Sequence, residues 1–474
     1  MKKYKNLGKN VLLFSISSLI PKLLAFILIP IYTSKLSTVS YGKIELVTTT
    51  VSLLIPIITL NISDALLRFL LDKKYNNKDV FSSCMYILIY DVLLSFLLLS
   101  ALVIFDPFNI EKVYYIFFSV FMILNIFYNI MCIYLKGLEL IKNMVIGSII
   151  NSLVTFVLMI TFLTVYDLGV IGYVLGSTLG LFISIIYMFF ATRCYKNFNF
   201  KINRSVFKEM VKYSFPMIFS AIAWWINNSS DRYIIAIISG VGISGVYAVA
   251  SKIPHILKTF QNIFLQAWSI SAIKEFDKND EDGFIGNMFS VMNLIMIIGC
   301  SFLILFNIFI SKLLYSGDFF IAWKYVPPLL VSVIFDSLAL FIGNIYYAVK
   351  DTKTLSIANV IGAIINILLN IVLIKLIGAY GAAISTAISY FITFVLCFIY
   401  LKKYINMKTN SQVLFLGYIL IVIQMIVAYF GNKFFVFEFL IFVLLLFNYR
   451  IYYKSFIKIL NDFFKRKRKE IKND

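Results

Sequence analysis

Asn143-Met144-Val145-Ile146-Gly147-Ser148-Ile149-Ile150-Asn151 and Asn359-Val360-Ile361-Gly362-Ala363-Ile364-Ile365-Asn366 are the same stretch written twice, with one residue deleted from the second copy. Each opens an apolar run, and each is followed by a Gly-x-x-Gly entry into the next run, Gly169/Gly172 and Gly378/Gly381. A proline also recurs in an early turn, in Ser18-Leu19-Ile20-Pro21 and again in Ser214-Phe215-Pro216. Apolar runs of about 20 residues repeat along nearly the whole chain, and a helix of that length crosses a hydrocarbon core of about 30 Å. The repeat therefore predicts a duplicated, all-α integral membrane protein. Its two copies start on the same side, as in transporters whose halves are related by an axis along the membrane normal.

Working outward, the periodicity gives about 14 transmembrane helices. The first six are expected at 10–36, 42–71, 80–104, 113–135, 143–165 and 169–191. The second six are expected at 206–238, 243–273, 286–313, 323–349, 354–376 and 379–401, with two more at 411–430 and 434–453. The expected domains are an N-terminal six-helix lobe (1–200), a C-terminal six-helix lobe (201–405), an accessory helix pair (406–453) and a basic tail (454–474). Composition agrees. The 474 residues are 61% hydrophobic and 14% charged, far less charge than the roughly 25% of a soluble domain. The apolar run from Val11 is too long for a signal-peptide core and has no A-x-A-like cleavage site after it, so it reads as a retained first helix.

The formal net charge of +20 raises the question of a nucleic-acid partner, and its distribution answers it. With the N-terminus placed in the cytoplasm, about 31 Lys/Arg fall in inner segments, about 7 outside and about five within spans, which is the positive-inside pattern. Lys2, Lys3, Lys5 and Lys9, the stretch from Arg193 to Lys212 and the run Lys465-Arg466-Lys467-Arg468-Lys469 are the inner clusters. They read as topology anchors beside anionic lipid, with both termini cytoplasmic and no nucleic-acid partner. The acidic loop 274–283 weighs little on orientation. Cys84, Cys132, Cys194, Cys300 and Cys397 are scattered and form no metal or redox spacing. No G-x-x-x-x-G-K-[ST] loop is present, which argues against ATP hydrolysis by this chain. No cofactor and no metal are expected.

Charge inside a span costs roughly 2.5–3.5 kcal/mol per residue, so each such residue needs a reason. In the eighth span Lys252, His255, Lys258 or Thr259, Asn262 and Gln266 recur at helical spacing, opposite Ile253, Ile256, Leu257, Phe260 and Phe264. Ser15, Ser18 and Lys22 share a face of the first span. Asp64 and Arg68 are an i,i+4 pair suited to mutual neutralisation. The seventh span holds a polar band from Trp224 to Tyr233 that includes Asn228, Asp231 and Arg232. Asp91 and Asp336 are isolated carboxylates, each suited to a lysine partner, a proton or protonated packing. Asn125/Asn129 and Asn366/Asn370 suit interhelical hydrogen bonds. Pro21, Pro30, Pro56, Pro216, Pro254, Pro327 and Pro328 permit local gaps in the helical ladder.

The stretch Asn10 to Gly42, above all Pro30-Ile31-Tyr32-Thr33-Ser34-Lys35-Leu36-Ser37-Thr38-Val39-Ser40-Tyr41-Gly42, resembles the opening of polysaccharide-biosynthesis flippases of the O-antigen (Wzx) type. Asp231-Arg232-Tyr233-Ile234-Ile235, Gly245-Val246-Tyr247-Ala248-Val249-Ala250-Ser251-Lys252 and the Gly378-Ala379-Tyr380-Gly381-Ala382-Ala383 entry resemble later parts of that family, over roughly 1–400. The family belongs to a superfamily that also holds lipid II flippases and multidrug (MATE) exporters. The resemblance implies two six-helix lobes forming a V around a cavity, plus two C-terminal helices. It implies a transporter, not an enzyme, that moves undecaprenyl-pyrophosphate-linked oligosaccharide across the bacterial cytoplasmic (inner) membrane by alternating access, for O-antigen, capsule or exopolysaccharide synthesis. Its partners would be that substrate, membrane lipid and polysaccharide polymerase machinery.

For the anionic pyrophosphate the expected ligands are Lys22, Lys252, His255 and Lys258, with Arg68 added by resemblance to lipid II flippases. Asn228, Asp231, Arg232, Asn262 and Gln266 are expected as polar wall for the glycan. Asp64 and Asp91 are candidates for ion coupling. The mid-span cations are lysines where arginine would clamp phosphate through two bonds. A multidrug exporter is the first alternative, and a membrane polymerase or ligase the second. The latter would need an outer catalytic loop, which the short connections near 105–112 and 314–322 do not supply.

Overall fold

The computed structural model describes residues 2–72, 74–105, 111–197, 202–274, 276–454 and 457. The run Lys465 to Lys469, most of the expected tail and residues 106–110 of the expected 105–112 connection lie outside the described residues, as do the side chains of Lys2, Lys3, Lys5, Lys9, Ser15, Ser18 and Asn227. The described chain is nearly all helix and contains no strand. Among the described residues eleven helices are long and apolar enough to cross a membrane. Three further expected spans fall on the first, seventh and eighth stretches, where the helix is respectively unbroken, divided at Phe215 and Pro216, and split by a turn at 251–253. The chain divides into two compact units, 1–230 and 231–474.

The first unit contains α1 (Lys2–Lys35), α2 (Thr38–Ile58), α3 (Ile62–Leu70), α4 (Asn77–Phe105), α5 (Lys112–Gly137), α6 (Ile141–Ile160), α7 (Gly169–Ala191), α8 (Arg204–Ser214) and the start of α9 (Met217–Ile238). The expected second span is not one helix. Pro56 removes a backbone donor, and Leu60 and Asn61 take left-handed backbone (φ 51° and 50°), which ends α2 and starts α3. The expected seventh span is likewise divided, between α8 and α9, beside Pro216. The two interruptions meet: Ser214 Oγ donates to the Leu60 carbonyl at 2.7 Å, and the Asn61 N–H reaches the Pro56 carbonyl at 2.9 Å. A backbone group freed inside hydrocarbon must find such a partner. Trp225 Nε1 then ties α9 to α2 through the Thr49 carbonyl, at 2.9 Å.

The second unit continues with α10 (Val241–Ala250), α11 (Pro254–Lys274), α12 (Phe284–Leu305), α13 (Asn307–Leu314), α14 (Val326–Ala348), α15 (Thr352–Ile377), α16 (Ala379–Leu401), α17 (Ser411–Ala428) and α18 (Phe435–Asn448). The expected eighth span is split by a turn at 251–253 ahead of Pro254, and the ninth by Phe306. At its centre α14 packs against α11, α12 and α16, which explains why it is buried along almost its whole length.

The duplicated sequence marks equivalent packing in each unit. Gly147 of α6 lies against Ser184 and Met188 of α7, and Ser184 Oγ donates to the Gly147 carbonyl at 2.7 Å. Gly362 of α15 lies against Ser389 and Thr393 of α16. The paired glycines act alike one turn into the following helix. A Cβ on Gly172 would stand 3.1 Å from the Phe162 carbonyl, and one on Gly381 would run into the Leu373 carbonyl. Small residues at these points let two backbones approach closely.

Outside the spans, carboxylates tie loops together. Asp280 is buried and accepts from the backbone N–H groups of Ile285, Gly286 and Lys408 at 2.9, 2.9 and 3.0 Å. The Asn406 N–H returns the contact through the Lys278 carbonyl at 3.0 Å. Asp351 caps α15 through Thr354 and accepts from Tyr404 Oη at 2.7 Å. The donating hydroxyls of Thr354 and Tyr404 hold its carboxyl below the usual range.

Three outcomes follow. Gly381→Ala should destabilise the protein by about 1–3 kcal/mol, because the methyl meets a backbone carbonyl that cannot rotate away. Gly343→Ala, whose new methyl would sit 3.5 Å from the Leu355 methyls, should be neutral or mildly stabilising. Thermal size-exclusion of the purified chain reads both. A group with depressed folded pKa contributes stability above its unfolded pKa and loses it as pH falls through the folded one. The midpoint difference between the native chain and Asp351→Ala should therefore be full at pH 5 and above, and shrink below about pH 4.

Candidate functional site

The interrupted eighth stretch determines where its cations go. Lys252 lies on the turn before α11, half-buried, and so does not continue the face of that helix as a single span would have placed it. His255, Lys258, Thr259, Asn262 and Gln266 are on α11 itself, with His255, Asn262 and Gln266 exposed and Lys258 and Thr259 half-buried. At 100° per residue His255, Thr259, Asn262 and Gln266 form one stripe. Leu257, Gln261 and Trp268 lie on the opposite side and are only 2–3% exposed. They pack toward α14, where Trp268 stacks on Phe341 at 4.1 Å and donates to its carbonyl at 3.0 Å. α11 thus carries a packed face and a polar face half a turn apart. Phe260, expected on a face suited to lipid or packing, is exposed.

The band on α9 is built into a buried polar chain of the second unit. Asp231 accepts from Tyr247 Oη at 2.7 Å and from the Arg232 N–H at 2.9 Å. Tyr247 is 1% exposed and also bonds to Thr386 of α16. Thr386 and Ser389 in turn face Asn366 Nδ2 at 3.5 and 3.2 Å, and Asn370 Nδ2 donates to Asn366 Oδ1 at 3.0 Å. Asp336 accepts from Gln261 Nε2 at 3.2 Å, and Tyr390 is within electrostatic reach of both Asp336 and Asp231. Asp336 is therefore not isolated. Arg232 is half-buried, and its carbonyl accepts from Ser244 Oγ at 2.9 Å.

In the first unit the expected residues are dispersed. Asn228 Nδ2 turns back onto the Trp224 carbonyl of its own helix at 2.9 Å. Lys22 is exposed on α1. Asp64 accepts from Asn61 Nδ2 at 2.8 Å, and among the described residues no ion pair joins it to Arg68. Arg68 is exposed in the last turn of α3, near Tyr75, which donates to Glu209 at 2.7 Å. The break at Leu60 and Asn61 brings Arg68 to this surface group. Asp91 is 1% exposed in α4, and neither carboxylate oxygen has a hydrogen-bond partner among the described residues. Asn125 bonds within its helix to Phe121, while Asn129 reaches Ser63 of α3 at 3.3 Å.

Two acids buried within helices escaped the sequence reading, Glu45 of α2 and Glu438 of α18, the latter 5% exposed. Glu45 is 7% exposed and accepts from Tyr41 Oη at 2.6 Å. Tyr41 stacks on Tyr32 at 4.9 Å, with Tyr173 edge-on to both rings. The Tyr41/Glu45 spacing of four was the available signal. Among the described residues no group of three His, Cys, Asp or Glu is arranged to hold a metal.

With this geometry in place, comparisons with known proteins separate fold from family. The fold is similar to that of lipid II flippase MurJ in an inward closed conformation, with a TM-score of 0.69 at 17% identity over 95% of this chain and 99% of that one. It is similar to an inward-facing multidrug resistance MATE transporter of the MOP superfamily, with a TM-score of 0.63 at 13% identity over 88% and 98%. A MOP superfamily transporter from Pyrococcus furiosus, described by the reversed polarity of its binding pocket, gives 0.53 at 13% identity over 83% and 94%. No curated protein sequence matches the chain. The model of one family, polysaccharide biosynthesis protein, matches residues 7–270, more than half of the chain. This multi-pass membrane protein, with the fold shared by MurJ and the MATE transporters, belongs to the polysaccharide biosynthesis protein family.

Proposed function

We propose that the chain carries an undecaprenyl-pyrophosphate-linked oligosaccharide from the cytoplasmic to the outer leaflet of a bacterial cytoplasmic membrane by alternating access, for O-antigen, capsule or exopolysaccharide synthesis. The observation that carries this reading is the polar face of α11. His255, Thr259, Asn262 and Gln266 line the side of the helix opposite the face that packs on α14, with Lys252 at its start and Lys258 on its border. Intramembrane amines cost enough on insertion to require a purpose, and an anionic pyrophosphate entering a low-dielectric region needs cations to offset its lost hydration. Lysine meets phosphate as a point charge. Family membership supports a substrate from polysaccharide synthesis.

On this reading Lys252, His255 and Lys258 hold the pyrophosphate, together with Lys22 of the first unit. Arg68 receives the headgroup near the helix ends. Asn262 and Gln266 donate to sugar hydroxyls, Asn228 contributes polar wall, and Asp231 and Arg232 organise α9. Both termini are cytoplasmic, which leaves the product outside for polymerase machinery. Ion coupling belongs to Asp91 before Asp64, since Asp91 is buried where Asp64 is exposed and already hydrogen-bonded. A multidrug exporter is the second reading, supported by the MATE-like fold. Amines along α11 fit cationic drugs poorly.

In a strain lacking its own flippase, this chain should restore surface polysaccharide. Lys252→Ala/Lys258→Ala should lower restoration by about ten-fold or more at equal membrane abundance, the scale expected when two charge-assisted contacts are lost. Undiminished export by that variant would remove the assigned site. Resistance to cationic drugs without polysaccharide export would favour the second reading.

A further inference from the structure

The second unit carries a concavity of about 480 Å³ away from the α11 polar face, where the end of α12, the turned-out α13 and the start of α18 come together. Its size is within the 300–1,000 Å³ range of small-molecule sites. Leu305, Ile308, Phe309 and Phe435 form its walls, and Lys312 and Asn432 contribute polar groups. The backbone explains the shape. α12 stops at Leu305, and Asn307, only 1% exposed, donates to the Trp323 carbonyl at 2.8 Å, which turns α13 away from the α12 axis. The other edge is a turn at Gly431, whose φ of +71° suits glycine. That turn sits against the Trp323 ring and Ile308, since a Cβ there would meet them at 3.4 and 3.7 Å.

The end of α12 and the starts of α13 and α18 meet here, and the ends of spans are where hydrocarbon gives way to headgroups. We propose that the concavity is a binding site for an anionic glycerophospholipid, with one acyl chain against the Leu305, Ile308, Phe309 and Phe435 walls and the headgroup phosphate on Lys312, assisted by Asn432. Both chemistries are needed to use the site. Free phosphate leaves the apolar wall wet, and a zwitterionic lipid brings its own ammonium next to the lysine. The site is separate from the residues assigned to transport and does not depend on what the chain translocates.

Trp323 beside the pocket is a natural reporter. The full-length chain is reconstituted in phosphatidylcholine vesicles doped with phosphatidylglycerol brominated on its acyl chains, or with phosphatidylcholine brominated in the same way. The Trp323 contribution is the difference between the native chain and Trp323→Phe. That component should be half-quenched at about five-fold lower mole fraction of the phosphatidylglycerol, the worth of one lysine beside an anionic headgroup. Lys312→Ala should abolish the preference, and Lys312→Arg should keep it, which separates lost charge from lost folding. Excess inorganic phosphate should leave the quenching unchanged. Equal quenching by the two lipids, an undiminished preference in Lys312→Ala, or relief by inorganic phosphate would each overturn the proposal. None of these readouts requires transport, so their failure is distinct from failure of the flippase reading.

Discussion

Every peptide group that leaves the helical ladder inside a bilayer must be hydrogen-bonded by the protein, and this constraint shapes more of the chain than any single side chain does. Proline opens the ladder at positions 56, 216 and 254. The breaks beside Pro56 and Pro216 are tied together, because the hydroxyl of Ser214 reaches the carbonyl of Leu60. Two imperfect helices thereby become mutually dependent. Losing that hydroxyl would leave a part-buried carbonyl without its partner, a cost of about 1–3 kcal/mol.

The same constraint accounts for the polar residues within the spans. Asp231, Tyr247, Thr386, Asn366 and Asn370 each have a partner and run continuously from α9 through α10 and α16 to α15. A connected chain of this sort rigidifies, whereas scattered polar groups in hydrocarbon would only destabilise. The α11 stripe differs in kind. Its polar residues lie opposite the packed face, so helix packing does not account for them. That contrast separates an internal hydrogen-bonded chain from a polar helix face in this protein.

Fold class and repeat were legible in the sequence because apolar run length and the glycine pattern are local properties. Gly147 and Gly362 do the same work in their two units, as their shared motif implied. Helix interruptions were legible only as prolines. Whether Pro56 would kink α2 or end it depended on Asn61 and on Ser214 from a distant segment, which a linear reading does not bring together. Lys252 was misplaced onto the α11 face for that reason. Asp336 looked isolated because its partner Gln261 lies 75 positions earlier in the chain. Glu45 was not legible as a buried acid although its tyrosine partner is only four residues away, because exposed helix faces carry the same spacing.

The tie around Asp280 has a consequence for biogenesis. Gly286 is so closely covered by the Lys408 carbonyl that no side chain fits there, and Asp280 receives the Lys408 amide along with those at the head of α12. The ribosome completes α12, α14, α15 and α16 before it makes residue 408. The loop ahead of α12 therefore waits through four membrane insertions for its last contact, and the second unit locks only when the chain returns to the surface where that loop began.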